Sequence, residues 1–309
     1  MDNNKKILYG VLFVVGLVAP AVVYPIFLMK ALCFALFASA FNLLLGYTGL
    51  LSFGHAMFLG TAGYVCGHAV KVWGFPTEVG ILAGVAASAG LGYLVGALAI
   101  RRQGIYFAMI TLAFSQMLYF IYLQAPFTGG EDGLQAIPRQ TILGLVSLDN
   151  DMAMYYFTYA IVIGGFWMIY RTIHSPFGQV LKAIRENEAR ALSLGYDVDK
   201  YKLLAFVLSC ALSGLAGATK ALVFKFETLT DVHWSMSGEA VLTTLLGGMG
   251  TILGPTVGAF IVVTLQNQLA FLEGWVTVIT GVIFVICVLL FRRGVVGEIA
   301  ARIKKTPIK

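Results

Sequence analysis

From residue 7 to residue 291 the sequence is a succession of long apolar runs separated by short polar joints. A bilayer hydrocarbon core of about 30 Å takes roughly 20 residues of helix to cross. Runs near that length fall at 7–24, 26–46, 50–70, 78–100, 104–124, 152–171, 202–224, 237–249, 254–272 and 274–291. Lipid leaves backbone polar groups no partner but each other, so such runs must be helical. The pattern predicts an all-α, polytopic integral membrane protein with about ten crossings. Composition agrees: 59% hydrophobic and 12% charged residues leave a water-soluble body too little polar surface to cover itself. An ordinary cytosolic enzyme is excluded.

Two runs depart from the rule. The 50–70 stretch is rich in glycine and carries His55, and 237–249 is short, so both read as broken or half-helices. Each is linked to a glycine break: Leu44-Leu45-Gly46-Tyr47-Thr48-Gly49 resembles Leu245-Leu246-Gly247-Gly248-Met249-Gly250, and each is soon followed by a further glycine, Gly54 and Gly254. Paired breaks of this kind suggest an internal repeat flanking a solute path. Glycines four apart at 63/67, 92/96, 250/254 and 254/258 predict close helix packing.

The net charge is +6. Its distribution reads as the excess of basic residues on cytoplasmic loops, not as a nucleic-acid surface. Lys5, Lys6, Arg101, Arg102, the cluster from Arg171 to Lys202, and Arg292, Arg293, Lys304, Lys305 and Lys309 all fall on one side of a ten-crossing chain, placing both termini in the cytoplasm. The 125–151 connection opposite holds Glu131, Asp132, Asp149 and Asp151 against Arg139 alone. Ala19-Pro20-Ala21 imitates a signal cleavage site, but the apolar sequence runs on and reads as a retained span. Cys33, Cys66, Cys210 and Cys287 lie in apolar runs without metal spacing and read as small core residues.

One segment is too polar for its surroundings. Residues 172–200 hold a predicted amphipathic helix over 176–194, with Ser175 as N-cap, Pro176 at its first position and a stop at Gly195. Phe177, Leu181, Ile184, Ala191 and Leu194 share a helical spacing, and Glu186 and Arg190 stand at i,i+4. Such a helix either lies on the bilayer surface or docks a cytoplasmic partner.

The stretch from Glu186 to Gly195 resembles the coupling segment of ABC importer permeases. With 42–64, 101–116, Thr128-Gly129-Gly130-Glu131-Asp132-Gly133-Leu134, 175–195 and 247–258, the chain resembles, over roughly 40–295, the LivM-type permease subunits of branched-chain amino acid ABC importers. The resemblance implies one transmembrane permease domain over 1–309 in a bacterial inner membrane. Its partners would be two cytoplasmic ATPases holding ATP and Mg²⁺, a second homologous permease, and a periplasmic binding protein that delivers the solute. It assigns ATPase coupling to Pro176, Arg185, Glu186, Glu188, Ala189, Arg190 and Gly195. Intramembrane polar residues Asn42, Thr48, Ser52, His55, Thr111, Ser115 and Gln116 either line the pathway or hold helices together, with packing somewhat favoured for His55. Glu131, Asp132, Glu227 and Asp231, with Glu239, are candidates for docking the binding protein.

The chain has no GxxxxGK[ST] to cradle nucleotide phosphates, and Leu212-Ser213-Gly214-Leu215-Ala216-Gly217 only imitates an ABC signature inside an apolar run. No cofactor and no metal is expected on it. Rival readings are the same importer carrying urea or a short amide, an ion-coupled secondary transporter or channel, and a membrane scaffold. Ion coupling calls for ionisable groups inside spans, and the candidates Lys30, His55, His68, Lys220 and Glu273 mostly lie near span ends.

Overall fold

The computed structural model describes residues 3–142, 146–269, 271, 275–290 and 294–298. Among them, ten apolar helices follow the predicted runs: α1 Asn3–Val18, α2 Pro25–Thr48, α3 His55–Lys71, α4 Thr77–Ala99, α5 Ile105–Gln124, α6 Asp151–Ile173, α9 Val198–Phe224, α10 Trp234–Gly247, α11 Gly254–Leu269 and α12 Trp275–Leu290. Between α6 and α9 lie two short helices, α7 Pro176–Glu186 and α8 Glu188–Ser193. Among the described residues five helices, α2, α4, α5, α6 and α9, are long and apolar enough to cross a membrane. The 17 residues of α3 and 14 of α10 span about 26 and 21 Å at 1.5 Å per residue, short of a core of about 30 Å. Glu273, Arg292, Arg293, Lys304, Lys305 and Lys309 lie outside the described residues.

Two features depart from the sequence reading. The 125–150 connection contains an antiparallel pair, β1 Thr141–Ile142 and β2 Val146–Ser147, with Thr141 opposite Ser147. The single helix expected over 176–194 is broken at Asn187, which adopts extended backbone and caps α8 by accepting a 3.0 Å hydrogen bond from the Arg190 N–H. Asparagine competes for backbone donors in this way, so it favours a cap over a helix interior.

At the centre are α2, packed on α6, α9, α10 and α11, and α9, packed on α2, α3 and α4. Both are apolar on nearly every face, and both are largely buried. Glycine allows the close contact of α4 with α9: a Cβ on Gly92 would lie 2.7 Å from the Cβ of Cys210, and one on Gly96 would lie 2.8 Å from the Phe206 ring. By contrast α5 exposes Ile105, Tyr106, Met109, Met117, Phe120 and Ile121, an apolar face suited to lipid or another chain.

Helix ends sort into two faces. The C-terminal end of α2 meets α7 and the turn that follows α10, and the α4–α5 joint meets α8 through Gln103. On the opposite face the α5–α6 and α9–α10 connections pair through a backbone bridge between Leu134 and Glu227. There Arg139 is buried, bonds Asp151 at 2.8 Å and donates to the carbonyls of Leu222 and Val223. It thereby satisfies acceptors left open at the end of α9. Arg101, Arg102, Arg171, Lys182, Arg185, Arg190 and Lys200 are on the α7 face.

Candidate functional site

The α7–α8 segment begins as its sequence requires. Ser175 Oγ accepts from the Gly178 N–H, Pro176 occupies the first helical position, and Gly195 closes the segment at φ +86°. Ile184, Ala191 and Val198, with Val180 and Tyr201, form a small apolar cluster that fixes α7 and α8 to the start of α9. Lys200 donates to Asp197 from its side chain and backbone, holding that carboxyl below its usual range. Exposed on the outside are Pro176, Glu186, Ala189, Arg190 and Gly195, beside the apolar Leu192 and Leu194. Since Asn187 interrupts the helix, Glu186 and Arg190 are not one helical turn apart, and the described ion pair made by α8 is elsewhere.

That pair is Glu188 with Lys202. Glu188 Oε1 accepts from Lys202 Nζ at 2.7 Å and from Gln103 Nε2 at 2.8 Å, joining α8, α9 and the α4–α5 joint. Lys202 is 3% exposed, so Glu188 is its neutralising partner and faces into this chain. Sequence reasoning offered Glu188 as a contact for an external subunit and missed Lys202, because a lysine at the start of a span looks like any cytoplasmic basic residue.

Arg185 of α7 is itself exposed, but its guanidinium reaches in to both glycine breaks. Its Nη1 donates to the carbonyl of Gly46, and lies 3.3 Å from where a Cβ on Gly250 would be. Gly49 ends α2 at φ +77°, against the Arg185 stem, and Lys182 lies 5.8 Å above the Tyr47 ring. Asn42 then ties the two breaks directly: Oδ1 accepts from the Gly250 N–H at 2.9 Å, and Nδ2 donates to the Thr251 carbonyl at 2.8 Å. A Cβ on Gly46 would collide with Asn42. Gly247, Gly254 and Gly258 bring α10 and α11 into backbone contact, where a Cβ on Gly247 would overlap the Gly254 carbonyl. Gly248 continues the turn at φ +125°. The two segments that resemble each other in sequence are thus joined in space, and one arginine connects both to the surface helix.

The remaining intramembrane polar residues have local partners. His55 Nε2 contacts Ser209 Oγ at 2.9 Å, Ser209 donates to the Ala40 carbonyl, and Phe41, Phe58 and Phe206 stand edge-on to the fully buried imidazole. Thr48 donates back to the Leu44 carbonyl, Ser52 accepts from the Gly54 N–H, and Thr111 accepts from the Phe53 N–H while donating to Ala108. Ser115 donates to the Val232 carbonyl at 3.5 Å, and Gln116 is half-buried. Next to the first break is an apolar pocket of about 520 Å³, formed by Leu50, Leu51 and Phe53 against Ile105, Met109 and Trp234. No sequence signal marks it, because apolar residues are unremarkable in an apolar chain.

On the opposite face Glu131 and Asp132 are exposed, on a single turn flanked by Gly129, Gly130 and Gly133. Glu227 and Asp231, expected beside them on a docking surface, are buried instead. Lys220 draws both inward, bonding Asp231 and lying 3.8 Å from Glu227. Glu239 is half-buried and accepts from Gln266.

Comparison with known proteins defines the class. Residues 24–289 match the model of a family described as the branched-chain amino acid transport system permease component. The chain is 26% identical, over 82% of its length and 67% of the relative's, to the high-affinity branched-chain amino acid transport system permease protein LivM of Escherichia coli K12. It is 30% identical to a probable LivM of Methanocaldococcus jannaschii over 58% of this chain and 52% of that one. It is also 28% identical to the xylose transport system permease protein XylH of E. coli K12, over 54% of this chain and 44% of that one. No solved structure matches. The chain belongs to the branched-chain amino acid transport permease family. It is a multi-pass membrane permease of the ABC transporter class, a transport subunit and not an enzyme.

Proposed function

We propose that this chain is a LivM-type subunit of a bacterial inner-membrane importer that moves branched-chain or other hydrophobic amino acids. The observation that carries the reading is the Arg185 junction, which links an exposed surface helix to both glycine breaks. One of two ATPase subunits docks on α7 and α8 through Glu186, Ala189, Arg190, Leu192 and Leu194 and the other on the second permease, the pair holding the ATP and Mg²⁺ that this chain does not bind. The α7 face is then cytoplasmic, in keeping with its basic residues, and both termini are on that side. When ATP closes the ATPase pair, α7 moves and Arg185 carries the ends of α2 and α10 with it. Those ends rock as a two-state gate. A second, homologous permease covers the apolar face of α5, and the path between them passes the pocket under Trp234. Its aliphatic and aromatic walls suit a branched side chain held weakly enough to leave. A periplasmic binding protein docks beside Glu131 and Asp132.

Purification of the chain with its native partners, followed by ATPase assays with the binding protein, tests the reading. Recovery of two ATPases and a second permease, with ATP turnover stimulated by leucine, isoleucine or valine, is the expected result. Stimulation by a sugar, urea or a short amide alone overturns the amino acid assignment, and xylose is the first competitor to try because a xylose permease is among the relatives.

A further inference from the structure

Away from the α7 junction, a cavity of about 270 Å³ opens between α2, α9, α10 and α11. That is just below the roughly 300–1,000 Å³ typical of ligand sites, so it has room for a small solute and not for a nucleotide. Four lysine and carboxylate side chains line it: Lys30, Lys220, Asp231 and Glu239. Three of them project from apolar helices, where a charge is costly and marks a ligand route or an internal pair. Lys220 and Asp231 are such a pair.

Lys30 and Glu239 are different. Lys30 is exposed, lines the cavity and, among the described residues, makes no hydrogen bond and no ion pair within 4 Å. Glu239 accepts from Gln266 at Oε1, which leaves Oε2 to a ligand. The cavity therefore presents, besides the Lys220–Asp231 pair, one cation and one anion that form no ion pair within 4 Å, with Phe34, Leu59, Met236 and Val263 as apolar wall.

We propose that this cavity binds a free aliphatic α-amino acid as its zwitterion. The carboxylate meets Lys30 Nζ, the ammonium meets Glu239, and the side chain lies against Phe34, Leu59, Met236 and Val263. In both polar contacts donor and acceptor carry opposite charges, whereas a neutral sugar can offer each residue a hydroxyl but no counter-charge. The site rests on the amino acid reading given above, and adds a point within this chain where the solute is recognised without the binding protein.

The test is equilibrium binding of radiolabelled leucine to the purified permease complex, without binding protein, in phosphatidylcholine nanodiscs. Saturable binding is expected in the wild type. Removing one charge, by Lys30→Gln or Glu239→Gln, should weaken it roughly tenfold or more. Both residues are partly exposed, so thermal stability should hold. Absence of saturable binding in the wild type, or unchanged binding in either variant, overturns the site. So does loss of leucine binding when phosphatidylethanolamine replaces the phosphatidylcholine, which would assign the cavity to a lipid headgroup. ATPase stimulation separates the two claims: stimulation by leucine without cavity binding sinks this site alone, and cavity binding without stimulation by any aliphatic amino acid sinks the transport reading alone.

Discussion

Replacing Glu188 by alanine should leave Lys202 charged, buried and without its partner. Breaking a buried ion pair from one side costs roughly 3–5 kcal/mol, against about 0–1 kcal/mol for an exposed one. Lys202 is 3% exposed and Glu188 27%, so water reaches the vacated side and the cost should fall near the lower bound, about 3 kcal/mol. The bond from Gln103 is exposed and adds little. Removing both charges, in Glu188→Ala with Lys202→Met, relieves the orphaned ammonium and should recover about 2 kcal/mol of the loss. The assay is thermal unfolding of the purified complex for the two single variants and the double one, run beside ATP-driven uptake. Glu188→Ala should lower the apparent Tm by several degrees and impair uptake, and the double variant should restore both in large part. A Tm within a degree of wild type for Glu188→Ala refutes the buried pair. A double variant that is as stable as wild type yet still uncoupled shows that Glu188 acts on a partner and not on Lys202.

Four further outcomes follow from the same geometry. Gly247→Ala should cost about 1–3 kcal/mol by forcing α10 from α11, reducing the yield of assembled complex on size exclusion, whereas Gly164→Ala, with open space around it, should be neutral or stabilising. Arg185→Lys keeps the charge but loses the planar fork, so ATP hydrolysis should continue while solute moved per ATP falls several-fold in proteoliposomes; unchanged stoichiometry counts against the junction. His55→Ala should destabilise by about 3 kcal/mol through a lost bond and an emptied ring site, and leave the KM for uptake unchanged; a raised KM would make the imidazole part of the path. Neutralising Glu131 and Asp132 together should slow binding-protein association and flatten its salt dependence, measured by surface plasmon resonance, without altering basal ATP turnover.

The order and number of apolar helices were legible because run length and lipid leave few choices. Also legible were the shortness of 237–249, where α10 has 14 residues, and the glycine break ahead of His55, where α3 begins. What could not be read was which side of a residue its partner would be on. Asn187 looks helical by its neighbours until its side chain is seen to cap α8. Glu188, Glu227 and Asp231 look like surface charges along the chain, yet each turns toward a lysine distant in sequence or on another turn, Lys202 or Lys220. The meeting of Gly46 with Gly250 lay behind a weak six-residue likeness, and its link to Arg185 had no signal at all, since a long-range bond to a backbone carbonyl leaves no trace in residue type.

The central claim is that α7 and the ends of α2 and α10 move as one body. Its most direct test is to tie Lys182→Cys on α7 to Tyr47→Cys on α2 with a short bifunctional thiol reagent, in a background where Cys33, Cys66, Cys210 and Cys287 are replaced. If the junction moves as a unit, the cross-linked importer keeps ATP-driven uptake close to that of the uncross-linked double variant. If cross-linking stops uptake and cleavage of a reducible linker restores it, α7 slides against α2 during transport, and the account of coupling through Arg185 is wrong.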